Sequence, residues 1–376
     1  MASSAAVAPS PTGRARSFLD RLQSGDRAAH LITLAFALSV VLITAMLVCE
    51  LWIHSADSRA KSGFGFIVSR SWNPVTEEFV ALPFIYGTLL TSVLALTIAV
   101  PLGVGAAIFL SELAPPKIAD GCTFLIELLA AVPSVIFGLL AIFTLVPLLR
   151  DYGEPFLKST LGFLPFFQGD AYGVGYLAAG LILAIMIFPF IISISRESLR
   201  AVPREQREAA LALGATEWEA TWQVVMPHAR LGILGSIFLG LARALGETMA
   251  VTMVIGNDPG IHASLLAPGY TIAAVIANEF TEATGNVYPA ALVELGLVLF
   301  LLTMLINALA QLMITLTTER THRVGRAPRL TLGSGSLPAP LSVELGQPLP
   351  HGRGSERNAR GSEWALRRAA GRESRQ

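Results

Sequence analysis

Residues 208–227 read EAALALGATEWEATWQVVMP. Glu208, Ala209 and Ala210 are followed by three residues, Gly214, nine residues, and then Val224, Val225, Met226 and Pro227. The stretch is polar and helix-forming, and it lies between two long apolar segments. A loop between membrane spans rarely needs a fixed pattern unless another protein reads it. An amphipathic loop helix with a chance Gly and Pro would explain the composition. It does not explain spacing, residue types and membrane context together.

The apolar segments set the class. Apolar residues make up 53% of the 376 and charged residues only 14%, with a mean hydropathy of +0.60. A soluble domain carries roughly 25% charged residues. Formal net charge is zero, so no whole-chain field draws nucleic acid. Six apolar runs, at 31–53, 81–110, 122–149, 174–195, 231–256 and 287–316, come near or above the ~20 residues that cross the hydrocarbon layer. The expected fold is all-α, a polytopic membrane protein with six transmembrane helices. Pro101, Pro133 and Pro189 should bend their helices, which neighbouring helices can tolerate.

Orientation follows from Lys and Arg. With both termini inside, the cytoplasmic side holds Arg14, Arg16, Arg21, Arg27, Lys117, Arg196, Arg200, Arg204 and Arg207, and eleven Arg from Arg320 onward. The outer loops share only Arg59, Lys61, Arg70, Arg150 and Lys158. This asymmetry places the 196–230 loop in the cytoplasm. The first apolar run is too long for a signal-peptide core and should stay as an anchor. The outer-loop aromatics Trp72, Phe163, Phe166 and Phe167 fit an interfacial belt or a surface for an external protein. Cys49 and Cys122 fall near opposite ends of their spans, too few for a metal site, and read as packing residues.

No phosphate-hydrolysing motif G-x-x-x-x-G-K-[ST] occurs, so the chain is no P-loop ATPase. H-E-x-x-H, C-x-x-C and G-x-S-x-G are absent too, which disfavours a membrane-embedded enzyme.

The segment after the loop, GLARALGETMAVTMVIGN (240–257), puts two opposite full charges inside an apolar run. Each would cost several kcal/mol facing lipid. Arg243 and Glu247 are four apart and, on a continuous helix, share a face. At ~1.5 Å per residue Arg243 falls about 18 Å along a helix starting near Leu231, close to mid-membrane. Two readings follow. The pair neutralises itself and locks packing, or Arg243 is an anion station with Glu247 tuning it and Thr248 beside them on the substrate pathway. A guanidinium fork matches tetrahedral oxyanions and stays ionised. Glu127 and Glu294, within spans three and six, are secondary candidates for either structural or functional roles. Glu112 ends span two and should face water or a helix end.

The 208–227 spacing resembles the EAA loop of ABC-type importer permeases. ARALGETMAVTMVIGN, together with Tyr86-Gly87-Thr88-Leu89, Pro101-Leu102-Gly103-Val104-Gly105 and Glu127-Leu128-Leu129-Ala130-Ala131-Val132-Pro133-Ser134-Val135, resembles the PstC family of phosphate-specific permeases. The resemblance covers about residues 25 to 318. It implies a type I ABC importer permease fold and a coupling loop at about 197–227. In that loop Glu208, Ala209, Ala210, Gly214 and Pro227 would meet a separate ATPase.

It implies further a homologous permease like PstA, an ATPase homodimer like PstB, a phosphate-binding protein like PstS, and phosphate as cargo. ATP would bind the partner ATPase, with no cofactor on this chain. The resulting division is a cytoplasmic, partly disordered segment 1–28, a permease domain 29–318, and a disordered basic tail 319–376. Alternatives are a permease for sulfate or molybdate, which would keep the loop without needing ARALGET, and a non-transporting membrane scaffold or sensor.

Overall fold

A computed structural model describes residues 12–63, 65–69 and 71–324. The expected disorder at 1–11 and most of the tail, from 325 onward, lies outside these residues. Among the described residues no strand forms beyond two isolated bridges, Asn73 with Glu78 and Gly256 with Gly269. Six helices are long and apolar enough to cross a membrane: Ala29–His54, Leu82–Leu113, Ser134–Leu161, Tyr176–Arg200, Glu217–Leu245 and Val287–Thr315. The first continues a helix that begins at Thr12, and the last runs on to Val324, past the expected boundary at 318.

Spans one, two, four and six fall where the apolar runs place them. The third does not. Helix Pro116–Ala130 stops, Pro133 is extended (φ −60°, ψ 142°), and a new helix starts at Ser134. Pro133 removes a donor and disfavours helical geometry at Val132, so the expected bend becomes a break. The fifth span differs too. Its helix begins at Glu217 and ends at Leu245, and a short turn, Met249–Thr252, follows.

Three prolines inside these helices share one device. Pro147, Pro155 and Pro227 each sit two residues beyond a π-turn, at Ala141–Leu145, Leu149–Gly153 and Thr221–Val225. A proline ring clashes with the carbonyl four residues back. The wider π-turn lets the preceding carbonyls bond five residues on, so the helix continues.

Spans two and four form the centre. Ala95 and Ala99 meet Ala179, Ile182, Leu183, Ile187 and Ile191. Lipid is as apolar as these side chains, so close packing rather than water exclusion holds the pair, and small residues permit it. Gly103 is one such close approach: a Cβ there would lie 2.8 Å from Ile191 Cγ2. Gly103→Val should lower the unfolding temperature in detergent, at an overpacking cost of ~1–3 kcal/mol. Ile191→Ala in the same chain should recover part of it. An unchanged melting curve for Gly103→Val would remove this contact from the account.

Toward the 204–230 segment, called here the motif side, Ala107, Ile108 and Leu110 of span two cluster with Ile192, Leu199 and Val202 and with Val225, Ala229 and Ile233. Cys122 packs against this cluster, but Cys49 is exposed, so only one cysteine is a packing residue within this chain. On the opposite side, Phe66, Phe79, Phe84, Tyr270, Leu292 and Leu295 form a second cluster. Trp72 joins it edge-on to Phe79 and Phe84 and donates to Glu279 Oε2 at 3.0 Å, as does the Tyr288 hydroxyl at 2.6 Å. Trp72 is thus part of a core, not of a belt, whereas Phe163 and Phe166 are exposed. The first span packs mainly on the sixth, and most of its apolar side chains are exposed.

Candidate functional site

Two places gather the candidate residues. The first is the loop between spans four and five. Pro203 is extended and starts a helix, Arg204–Ala212, which holds Glu208, Ala209 and Ala210. It closes on Gly214 at φ +90°, where Gly214 N–H donates to Leu211 O and Ala215 N–H to Ala210 O. Glycine suits this left-handed position because it lacks a Cβ. Nothing lies within 4 Å of where a Cβ would be, so the expected tight turn is present, and a close backbone approach within this chain is not.

Thr216 then caps the next helix. Its Oγ1 accepts from Glu219 N–H at 3.3 Å, and Glu219 Oε2 accepts from Thr216 N–H at 2.8 Å. From Glu217 the helix runs unbroken into span five, so Pro227 lies in the base of that span rather than in a loop. An open cavity of about 730 Å³ is lined by Ala209, Ala210, Leu213, Gly214, Gln223 and Val224 among others. Leu213 at its edge is 91% exposed, a large apolar side chain at a helix end with no cover among the described residues.

Glu112 lies at the end of span two beside an open cavity, as expected there, but its carboxylate is also engaged by a partner. Its carboxylate takes Arg207 Nε on Oε2 at 3.1 Å and Nη2 on Oε1 at 3.0 Å, across 95 residues of sequence. In the sequence Arg207 is one positive loop charge among several. No local pattern links it to Glu112.

The second place is the break in span five. Arg243 sits in the last helical turn before Leu245, and Glu247 follows after the helix has ended. They therefore do not share a helix face, and the expected one-turn relation is corrected. Gly246 ends the helix, and Glu247 Oε1 instead accepts from Ala250 N–H at 3.4 Å, at the start of the next short turn. Thr248 donates to Gly246 O at 3.3 Å and holds the N-cap position of that turn without a side-chain cap bond. Arg243 is half-buried. Its guanidinium lies 4.4 Å from the centre of the Phe190 ring in span four, and its buried Nε has no hydrogen-bond partner among the described residues. The face of an aromatic ring attracts a cation but leaves the in-plane N–H groups free. The self-neutralising pair is not formed.

The secondary candidates separate. Glu127 lies on an exposed face of helix Pro116–Ala130. Glu294 is 6% exposed, beside Ser58 and Arg59, in an apolar crevice lined also by Trp52, Leu297 and Leu301. The two share no site. One further charge escaped the sequence reading. Arg196, counted with the loop, is buried inside span four, with Asp120 Oδ1 3.8 Å from Nη2. The signal was present as an Arg one turn before the end of an apolar helix.

Six spans, a short polar helix between the fourth and fifth, and a charged break in the fifth fit the membrane subunit of a transporter. The profile of the family "Binding-protein-dependent transport system inner membrane component" matches residues 99–323. A phosphate transport system permease protein PstC from Mesorhizobium japonicum is 47% identical over 300 residues, covering 79% of this chain and 92% of the relative. That of Haemophilus influenzae is 47% identical over 75% of this chain and 91% of its own. PstC 2 of Mycobacterium tuberculosis is 38% identical over 76% and 91%. The chain belongs to the PstC family of phosphate transport system permeases, and its described fold is all-α with six candidate membrane spans.

Proposed function

We propose that this chain forms part of the path by which an ATP-driven importer moves inorganic phosphate across the plasma membrane. The observation that carries the reading is the Arg243 guanidinium, inside a span, unpaired, next to a break in the helix. A phosphate oxyanion supplies the fork-shaped partner that such a group lacks. Glu247 and Thr248, which shape the break, set how tightly Arg243 holds it. Helix Arg204–Ala212 with its Gly214 turn docks on the partner ATPase, a homodimer like PstB that alone binds ATP, and the exposed Leu213 is part of that contact. A second permease like PstA completes the path, and a binding protein like PstS delivers phosphate. Both termini lie in the cytoplasm, as the Lys and Arg distribution supports.

Radiolabelled phosphate uptake in cells lacking the chain, and in cells with it restored, tests this. Restored uptake that excess sulfate and molybdate do not compete away is expected. Competition by either moves the cargo to that oxyanion. No restoration of any uptake favours a scaffold or sensor.

A further inference from the structure

The helix Arg204–Ala212 is tethered to the bundle by its two chain ends, and Arg207 adds a third tie. All three of its guanidinium nitrogens are used. Beside the two contacts to Glu112, Nη2 donates to Leu199 O at 2.7 Å and Nη1 to Val202 O at 2.9 Å. Leu199 belongs to the end of span four and Val202 to the turn just after it, while Glu112 belongs to the π-turn that ends span two. Ser111 Oγ donates to Glu112 Oε1 at 3.0 Å and fixes the carboxylate. The Arg207 and Glu112 side chains are 21% and 11% exposed, so water and salt screen the pair little. The two span ends it joins are already one packed cluster.

From this geometry we infer that the Glu112–Arg207 pair is a positioning strut, through which movement of the 204–212 helix reaches spans two and four as one body. Span five needs no such strut, since its helix starts at Glu217, inside the same loop. A planar fork held by four acceptor contacts resists both sliding and rotation, which a Lys point charge would not. The inference rests on the proposal that this helix contacts the ATPase.

The test uses the assembled importer, purified through a tag on this chain and reconstituted in vesicles with its binding protein. ATP hydrolysis and phosphate uptake are measured on the same vesicles. Arg207→Gln and Glu112→Gln should each raise the ATP spent per phosphate moved by about tenfold, within the usual range of coupling between sites. The amount of ATPase retained should not change. The double variant should be no worse than either single, because both remove one link. A damaging Arg207→Gln beside a silent Glu112→Gln would mean that Arg207 only caps carbonyls, and would overturn the inference.

If the single variants fail to assemble, the double variant, which leaves no unpaired charge, decides by the same ratio. A raised ratio supports the strut, and a wild-type ratio sinks it. A wild-type preparation without any ATPase would instead refute the docking proposal, and the strut with it.

Discussion

Cells carrying Arg243→Gln should lose phosphate uptake by about 100-fold or more. Losing one side of a desolvated charged contact costs ~2–5 kcal/mol, and ~1.4 kcal/mol is a factor of ten. Gln keeps donors but loses the charge and the fork. Arg243→Lys should recover little, since a point charge cannot reproduce two parallel hydrogen bonds. Glu247→Gln should behave differently. Its side-chain oxygen can still accept from Ala250 N–H, so uptake should fall about fivefold or less, as for a weakened hydrogen bond. Because Arg243 and Glu247 form no ion pair, removing both charges should rescue nothing, and the double variant should be at least as inactive as Arg243→Gln alone. Membrane content of each variant is measured alongside uptake. Near-normal uptake by a normally inserted Arg243→Gln chain would end the anion-station idea.

Gly214→Val should separate ATP hydrolysis from transport while leaving the chain inserted. At φ +90° a β-branched residue pays a backbone penalty of ~1–3 kcal/mol. With no neighbour within 4 Å, the penalty is purely conformational, and the turn can relieve it by changing shape. That change would shift Leu213 and the end of the 204–212 helix, the surface proposed to meet the ATPase. Uptake should drop by about tenfold, a loss of coupling rather than of folding. Gly214→Asn should retain more, because Asn tolerates the left-handed region better than other residues with a side chain. Normal ATPase co-purification with normal uptake in Gly214→Val would argue decisively against this role.

Much of this was legible from local sequence. Spans one, two, four and six are simple apolar runs, and length against hydrocarbon thickness places them within a few residues. The loop motif was legible because its spacing carries information that composition does not. What failed was continuity. The run 231–256 stays apolar across Gly246–Thr248, so hydropathy reads one helix where the backbone makes two. Gly246 followed by a carboxylate and a hydroxyl was the available sign of a C-terminus and a new cap. Pro133 marks an interruption in the sequence, but a proline alone does not distinguish a bend from the break seen here. The Glu112–Arg207 pair could not be read at all. Its partners are far apart in sequence, and each on its own looks like an ordinary charge near a membrane surface.

The packing of the first span on the sixth also bears on how the protein is made. The ribosome must add roughly 230 residues between His54 and Val287 before that partner exists, about 10–50 s at ordinary elongation rates. During that interval the first span sits in lipid, or against the insertion machinery, without its main intramolecular contact. Its outward apolar surface, with Leu31, Phe36, Leu42 and Met46 exposed, suits such a wait. The contact between the first and sixth spans is therefore the last of these to form. A nascent chain cut short before Val287 would keep its anchor but leave it adrift from the bundle.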